Sequence, residues 1–125
     1  MVKQENIMVT GCNGQLGQSL FELSSAFNQY NFFFYSRTDL DITNFKILEE
    51  YIDKKKISTI INCAAYTDVV KAENELHLAD LINHLSVENL AELCFKKKIK
   101  LIHISTDYVF DGNKLDSYIE SDETN

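Results

Sequence analysis

The sequence contains no proline, no glycine- or serine-rich linker, no low-complexity tract and no internal repeat, so nothing in it marks a rigid spacer, a flexible tether or a repeat array. No apolar run approaches the ~20 residues of a membrane-spanning helix, and the N-terminal MVKQENIMVTG lacks a basic segment followed by a sustained apolar stretch. A membrane partner is therefore not expected. Cysteine is sparse: Cys12, Cys63 and Cys94 are odd in number and widely spaced, with no CxxC pair and no clustered histidine to complete a metal set. That usage suits a reduced, cytoplasmic protein and predicts no metal. Basic side chains are also few, 12 against 19 acidic ones, and the net charge of -7 has the wrong sign for a phosphate-backbone binder. Nucleic acid is not expected as a partner.

What is present is enough for one globular unit. A chain of 125 residues with 45% hydrophobic and 25% charged residues can bury a core, and its length leaves no room for two large domains. Residues 7–10 form a short apolar run that stops at glycine, followed by Leu16, Leu20, Leu23 and Phe27 at spacings of three and four: strand, glycine turn, helix. A second run at 32–35 leads into SRTDLDITN, where Thr43 is placed to cap a helix carrying Phe45, Ile47, Leu48, Tyr51 and Ile52. Residues 57–65 are continuously apolar, as in a strand covered on both faces. The segment 73–98 then reads as one long helix with Leu78, Leu81, Ile82, Leu85, Leu90, Leu93 and Cys94 on one side and lysines at its C-terminus. A fourth strand spans 100–105. Strands alternating with helices predict an α/β fold, a doubly wound parallel sheet. Residues 113–125 are polar and acidic and read as a mobile tail.

The sharpest motif is TGCNGQLG, with Gly11, Gly14 and Gly17 between the first strand and its helix. A dinucleotide pyrophosphate must approach the backbone closely, and a turn without Cβ atoms lets the helix N-terminus present its free amides to that charge. Asn13, Gln15 and Leu16 would add loop contacts. After the second strand, Asp41 and Ile42 either hold and pack an adenine or form a solvated helix start. Arg37 stands where an acid would select NAD, and its cation tolerates or prefers the extra phosphate of NADP; a solvated surface charge is its other reading. Ala64 and Ala65 either let a ribose and nicotinamide pass close by or simply pack in the core. Thr106, at the end of the fourth strand, can donate to a carbonyl that becomes an alkoxide, or can be structural.

Taken together, TGCNGQLG, LDITN, NCAAYT and STDYVFDG resemble, in order and spacing, the dTDP-4-dehydrorhamnose reductase family of extended short-chain dehydrogenases, over residues 7–122. The resemblance implies a Rossmann-like fold and reduction of the 4-keto group of a dTDP-6-deoxy-hexulose by NADPH or NADH. It puts Gly11, Gly14, Gln15, Leu16 and Gly17 on the pyrophosphate and Asp41 with Ile42 at the adenine. Ala64, Ala65, Tyr66 and Thr67 would line the cofactor, Thr67, Val69 and Tyr108 would touch the sugar nucleotide, and Thr106 would be the hydroxyl member of a Thr-Tyr-Lys catalytic set.

The family's tyrosine and lysine lie in a YxxxK helix shortly after the segment matching residues 117–125, and Tyr118 has no lysine four residues on. The expectation is thus a Rossmann-like sheet truncated after about four strands: residues 1–112 as a partial NAD(P)-binding domain, and 113–125 as a polar tail leading toward the absent helix. Such a chain would bind cofactor without turnover, since the tyrosine supplies the proton. Val70 stands where the family usually has aspartate, and Ser19 where some members carry a glutamate of a metal-linked dimer. Two alternatives accompany this reading. One is a regulatory protein of the same fold, like the beta subunit of methionine adenosyltransferase; the other is a fragment that self-associates through an open strand edge, giving a homo-oligomer.

Overall fold

The computed structural model describes residues 4–124; residues 1–3 and 125, the outer ends of the two expected segments, lie outside the described residues. The chain runs β1 (Glu5–Thr10), α1 (Gln15–Ser24), β2 (Tyr30–Tyr35), α2 (Phe45–Lys55), β3 (Thr59–Asn62), α3 (Val69–Ala72), α4 (Leu76–Asp80), a π-helical turn (Leu81–Leu85), α5 (Ser86–Lys97), β4 (Lys100–His103) and a 3-10 turn (Asp107–Val109). All strand pairs are parallel, in the order β2-β1-β3-β4.

The register explains the two faces. Met8 pairs with Phe33 on one side and Ile60 on the other, and Ile60 pairs with Leu101, so these four side chains share one face of the sheet. That face holds the core: Leu48 and Ile52 of α2 and Leu90, Leu93 and Cys94 of α5 pack on it. The other face carries Val9 and Phe34, with Phe21 of α1 edge-on to Phe34 at 5.1 Å between ring centres. Helices on both faces make the sheet doubly wound, as the strand and helix alternation predicts. β4 lies at the edge of the four strands, and Ile102 within it and Ile104 just past it are about half exposed.

Four local expectations are corrected. The cap of α2 is Asn44, whose side chain accepts from the Ile47 amide at 3.3 Å; Thr43 instead gives its own amide to Asp41 Oδ1 at 2.9 Å. Both residues are good caps by type, and the Asp41 turn decides between them. The apolar segment 57–65 is strand only over Thr59–Asn62, and the fourth strand ends at His103, so Thr106 lies beyond it. The single helix expected over 73–98 is interrupted. Glu75 leaves helical geometry (φ -119°, ψ 43°), and from Ser86 the amide reaches back five residues to the Leu81 carbonyl, a π turn.

Lys97 ties α5 to α2, with Nζ 3.1 Å from Glu49 and 2.7 Å from Asp53. Hydrogen bonds to those carboxylates raise its pKa above the ordinary lysine value. Its contribution is therefore fully present below the unfolded-lysine pKa of about 10.4 and is lost as pH rises through the elevated value. Lys97→Met should lower Tm by about 2–4 °C at pH 7, and the two proteins should converge in alkaline melts.

Candidate functional site

In this strand order β1 lies between β2 and β3, and the crossovers leave it in opposite directions, opening a crevice at the carboxyl ends of the strands. A cavity of about 250 Å³ occupies that crevice. Its floor is made by the glycine turn. Gly11 has φ +66°, and a Cβ there would lie 2.6 Å from the Ala64 amide nitrogen and the Cys63 carbonyl carbon. The ends of β1 and β3 can meet only because that atom is missing. Gly17 is needed for a different contact: a Cβ on it would lie 2.6 Å from Cys12 Cα, so α1 could not close onto the turn. Gly14, whose amide donates to the Gly11 carbonyl at 3.0 Å, precedes α1, and that helix has neither a side-chain cap nor an acidic residue in its first turn. Its N-terminal amides are left without an internal acceptor, which is the arrangement that receives an anion.

A buried polar network sits under the turn. Thr10 Oγ1 donates to Asn62 Oδ1 at 2.6 Å across the β1–β3 ladder, the same oxygen accepts from the Ala64 amide at 3.3 Å, and Asn62 Nδ2 lies 3.1 Å from His103 Nδ1. One side chain thus joins β1, β3, β4 and the loop after β3. The far end of that loop is held by Asn83 from the π turn. Its amide group accepts from Tyr66 N at 2.8 Å and donates to Tyr66 O at 3.0 Å. The Tyr66 hydroxyl donates to the Glu75 carboxylate, which pushes the phenol up to about 12.

The wall after β2 is polar at its rim and apolar inside. Leu40 and Ile42 are buried there, while Arg37 is exposed and sits with Nε 3.8 Å from Asp41 Oδ2. Asp39 Oδ2 accepts from both the Ser36 amide (3.0 Å) and the Ser36 hydroxyl (2.6 Å), and these bonds hold its carboxyl below the usual range. Cys63 lines the cavity; burial pushes its thiol up, as burial and then the Asp39 charge do for Cys12. Neither is an activated nucleophile.

Of the residues expected at a site, Gly11, Asn13 and Gly14 come together in this cavity with Arg37, Asp41 and Ile42, and Ala64, Ala65 and Tyr66 complete the set. Gln15 and Leu16 open α1 outside its walls, and Gly17 is buried beneath the turn. Thr67, Val69, Thr106 and Tyr108 do not line it. Thr106 caps the 3-10 turn, its hydroxyl oxygen accepting from Tyr108 N at 3.2 Å and lying 3.3 Å from Asp107 Oδ1. Ser36, Leu40, Cys63 and Ile82 also line the cavity without having been singled out for it. Ile82 belongs to an apolar helix stripe, and a stripe does not reveal which of its members faces a crevice.

A parallel α/β sheet whose glycine turn opens into the switch-point crevice defines a Rossmann-like protein. Within that class, residues 5–125 match the family described as RmlD substrate binding domain, and the chain belongs to it. It is 41% identical over 116 residues to dTDP-4-dehydrorhamnose reductase of Aggregatibacter actinomycetemcomitans, covering 93% of this chain and 40% of that protein. It is 40% identical to dTDP-4-keto-6-deoxy-D-glucose reductase of Streptomyces niveus, covering 91% and 39%. Among solved structures, dTDP-4-dehydrorhamnose reductase of Bacillus anthracis in complex with NADP superposes with a TM-score of 0.91 at 36% identity, over 99% of this chain and 44% of that one. The chain spans about two fifths of the length of these curated relatives. No helix among the described residues is long and apolar enough to cross a membrane.

Proposed function

We propose that this chain is the NADP(H)-binding portion of a cytoplasmic reductase acting on a dTDP-4-keto-6-deoxy sugar, and that by itself it binds cofactor without turnover. The observation that carries the reading is the glycine turn: its missing Cβ atoms and the uncapped start of α1 form a cradle that fits a pyrophosphate. In this assignment Gly11, Asn13 and Gly14, with Gln15, Leu16 and Gly17, hold the pyrophosphate. Asp41 and Ile42 pack the adenine, Arg37 faces the ribose 2′ end, and Ala64, Ala65, Tyr66 and Thr67 flank the nicotinamide side. When bound, the cofactor supplies the hydride. Thr67, Val69 and Tyr108 contact the sugar nucleotide, and the Thr106 hydroxyl donates to the keto oxygen. Residues 1–112 form the nucleotide-binding portion and 113–125 a polar extension of it.

The proposed lack of turnover rests on the Tyr-x-x-x-Lys pair that the resemblance implies as the proton donor. No tyrosine after Thr106 has a lysine four positions on. Tyr51 and Lys55 have that spacing, but they belong to α2. Tyr51 packs edge-on against Tyr35, and the Lys55 carbonyl accepts from Asn6 near the start of β1, the end of the strand opposite the cavity. They cannot serve a carbonyl beside Thr106.

Titration of the chain with NADPH and NADH, followed by nicotinamide fluorescence, should show saturable binding, and a reductase assay with the dTDP-keto sugar should show no turnover. Absence of binding would sink the reading, and turnover would remove its second half. Thiol labelling gives an independent check. Saturating NADPH should slow alkylation of Cys63 several-fold, while Cys94, buried with a thiol pushed up to about 11, should stay unreactive in both states.

A further inference from the structure

The end of β2 holds a feature that the cofactor assignment does not use. Ser36 is buried and lines the cavity, and it has two donors, its amide and its hydroxyl. Both are given to a single oxygen of Asp39, at 3.0 and 2.6 Å. A hydroxyl has only one proton to donate, so the Thr38 hydroxyl, 2.9 Å from Ser36 Oγ, must donate to it in turn. The polar capacity of this corner is thus spent on a carboxylate from the chain itself. The charges around it are Arg37, Asp39 and Asp41. Among the described residues Arg37 is the one cation lining the cavity, and Asp41 lies beside it. Asp39 forms no salt bridge among the described residues, so it adds negative charge to this corner. That charge is felt as far as the glycine turn, where it helps raise the Cys12 thiol.

In folds of this class the residues ending the second strand meet the ribose 2′ position of the adenosine, where NADPH carries a phosphate and NADH a hydroxyl. A phosphate monoester has about 1.5 to 2 negative charges at neutral pH and several acceptor oxygens, and it needs donors and cations. A hydroxyl can instead donate to a carboxylate. Resting on the cofactor reading above, we propose that Asp39 sets the balance between NADPH and NADH, by occupying both Ser36 donors and by placing a negative charge two residues from Arg37. Arg37 favours the phosphate and Asp39 opposes it, so the intact site accepts both cofactors. The residue acts through Ser36 and through its charge, with no role in the chemical step.

Two substitutions separate these contributions. Asp39→Asn keeps an acceptor for Ser36 and removes only the charge; Asp39→Ala also frees the donors. Fluorescence titrations of each with NADPH and NADH, and calorimetry with 2′,5′-ADP and ADP as cofactor fragments, should show the NADPH to NADH affinity ratio rising about tenfold in Asp39→Ala, with a smaller rise in Asp39→Asn. The fragments should follow the same order. Adding Ser36→Ala to Asp39→Ala should take back part of the gain, because the freed hydroxyl is then gone. Should Asp39→Ala fail to fold, the Asp39→Asn ratio decides. An unchanged ratio in a folded variant, with the wild type binding both cofactors, overturns the role of Asp39 alone. A wild type that binds neither overturns the cofactor reading itself and this inference with it.

Discussion

Gly11→Ala should abolish saturable NADPH binding and lower Tm by roughly 10–15 °C, a cost of about 3 kcal/mol. Two effects add at this position. The φ of +66° is a left-handed conformation that an alanine adopts only with strain, and the new Cβ would stand 2.6 Å from backbone atoms of Cys63 and Ala64. Neither neighbour can swing aside, because Ala64 is tied to Asn62 and the loop's far end to Asn83. The strand ends must separate, and the pyrophosphate cradle opens with them. Gly112→Ala is the matched control. Its φ is +75°, but a Cβ there meets nothing within 4 Å, so only the backbone term of about 1 kcal/mol applies and NADPH affinity should stay at the wild-type value. Equal effects of the two substitutions on binding would show that contact with the β3 loop is not what Gly11 protects.

Asn62→Leu is the second large effect, with an expected loss of about 3–4 kcal/mol and at least a tenfold weaker NADPH affinity. Asn62 is 1% exposed, and its Oδ1 serves the Thr10 hydroxyl and the Ala64 amide together. Leucine has similar bulk but no acceptor, so a buried hydroxyl and a loop amide both lose their partner. The double variant Thr10→Val, Asn62→Leu removes the stranded hydroxyl and should recover about 1 kcal/mol or more of the loss in denaturant melts. Binding should not recover with it, because the Ala64 amide still lacks its acceptor and the loop that walls the cavity stays loose. A double variant no more stable than Asn62→Leu would mean that packing, not hydrogen bonding, is what Asn62 supplies.

The two positions differ in how far they could be read from the chain. Gly11 announces itself because the strand, the glycine spacing and the amphipathic helix after it are local patterns, carried by residues within about a dozen positions. The same holds for the β2–α2 unit, apart from a one-residue shift of its cap from Thr43 to Asn44 that turned on the Asp41 side chain. Asn62 gives no such signal. Its partners are Thr10, 52 residues away, and His103, 41 residues away, and an asparagine inside an apolar run looks like an interruption until the ladder brings them together. Asn83 was hidden for another reason: apolar positions continue on both sides of the π turn, so periodicity reads 73–98 as one helix and misses the turn that carries its amide to Tyr66.

Arg37 and Asp39 show the limit most directly. The sequence displays the arginine and the missing acid at the end of β2, and both are visible because they depend on residue type alone. That the arginine lies beside Asp41, and that Asp39 takes both donors of Ser36, depends on how the turn folds back on itself. By itself the sequence determined the alternation of strands and helices, the glycine turn between the first pair and the set of blocks that resemble a reductase family, since each follows from short-range steric and hydrophobic pattern. Only the tertiary structure decided which polar groups spend their hydrogen bonds on one another and which remain for a ligand. A donor or acceptor is satisfied by whatever the fold places within about 3 Å of it, and distance along the chain says nothing of that.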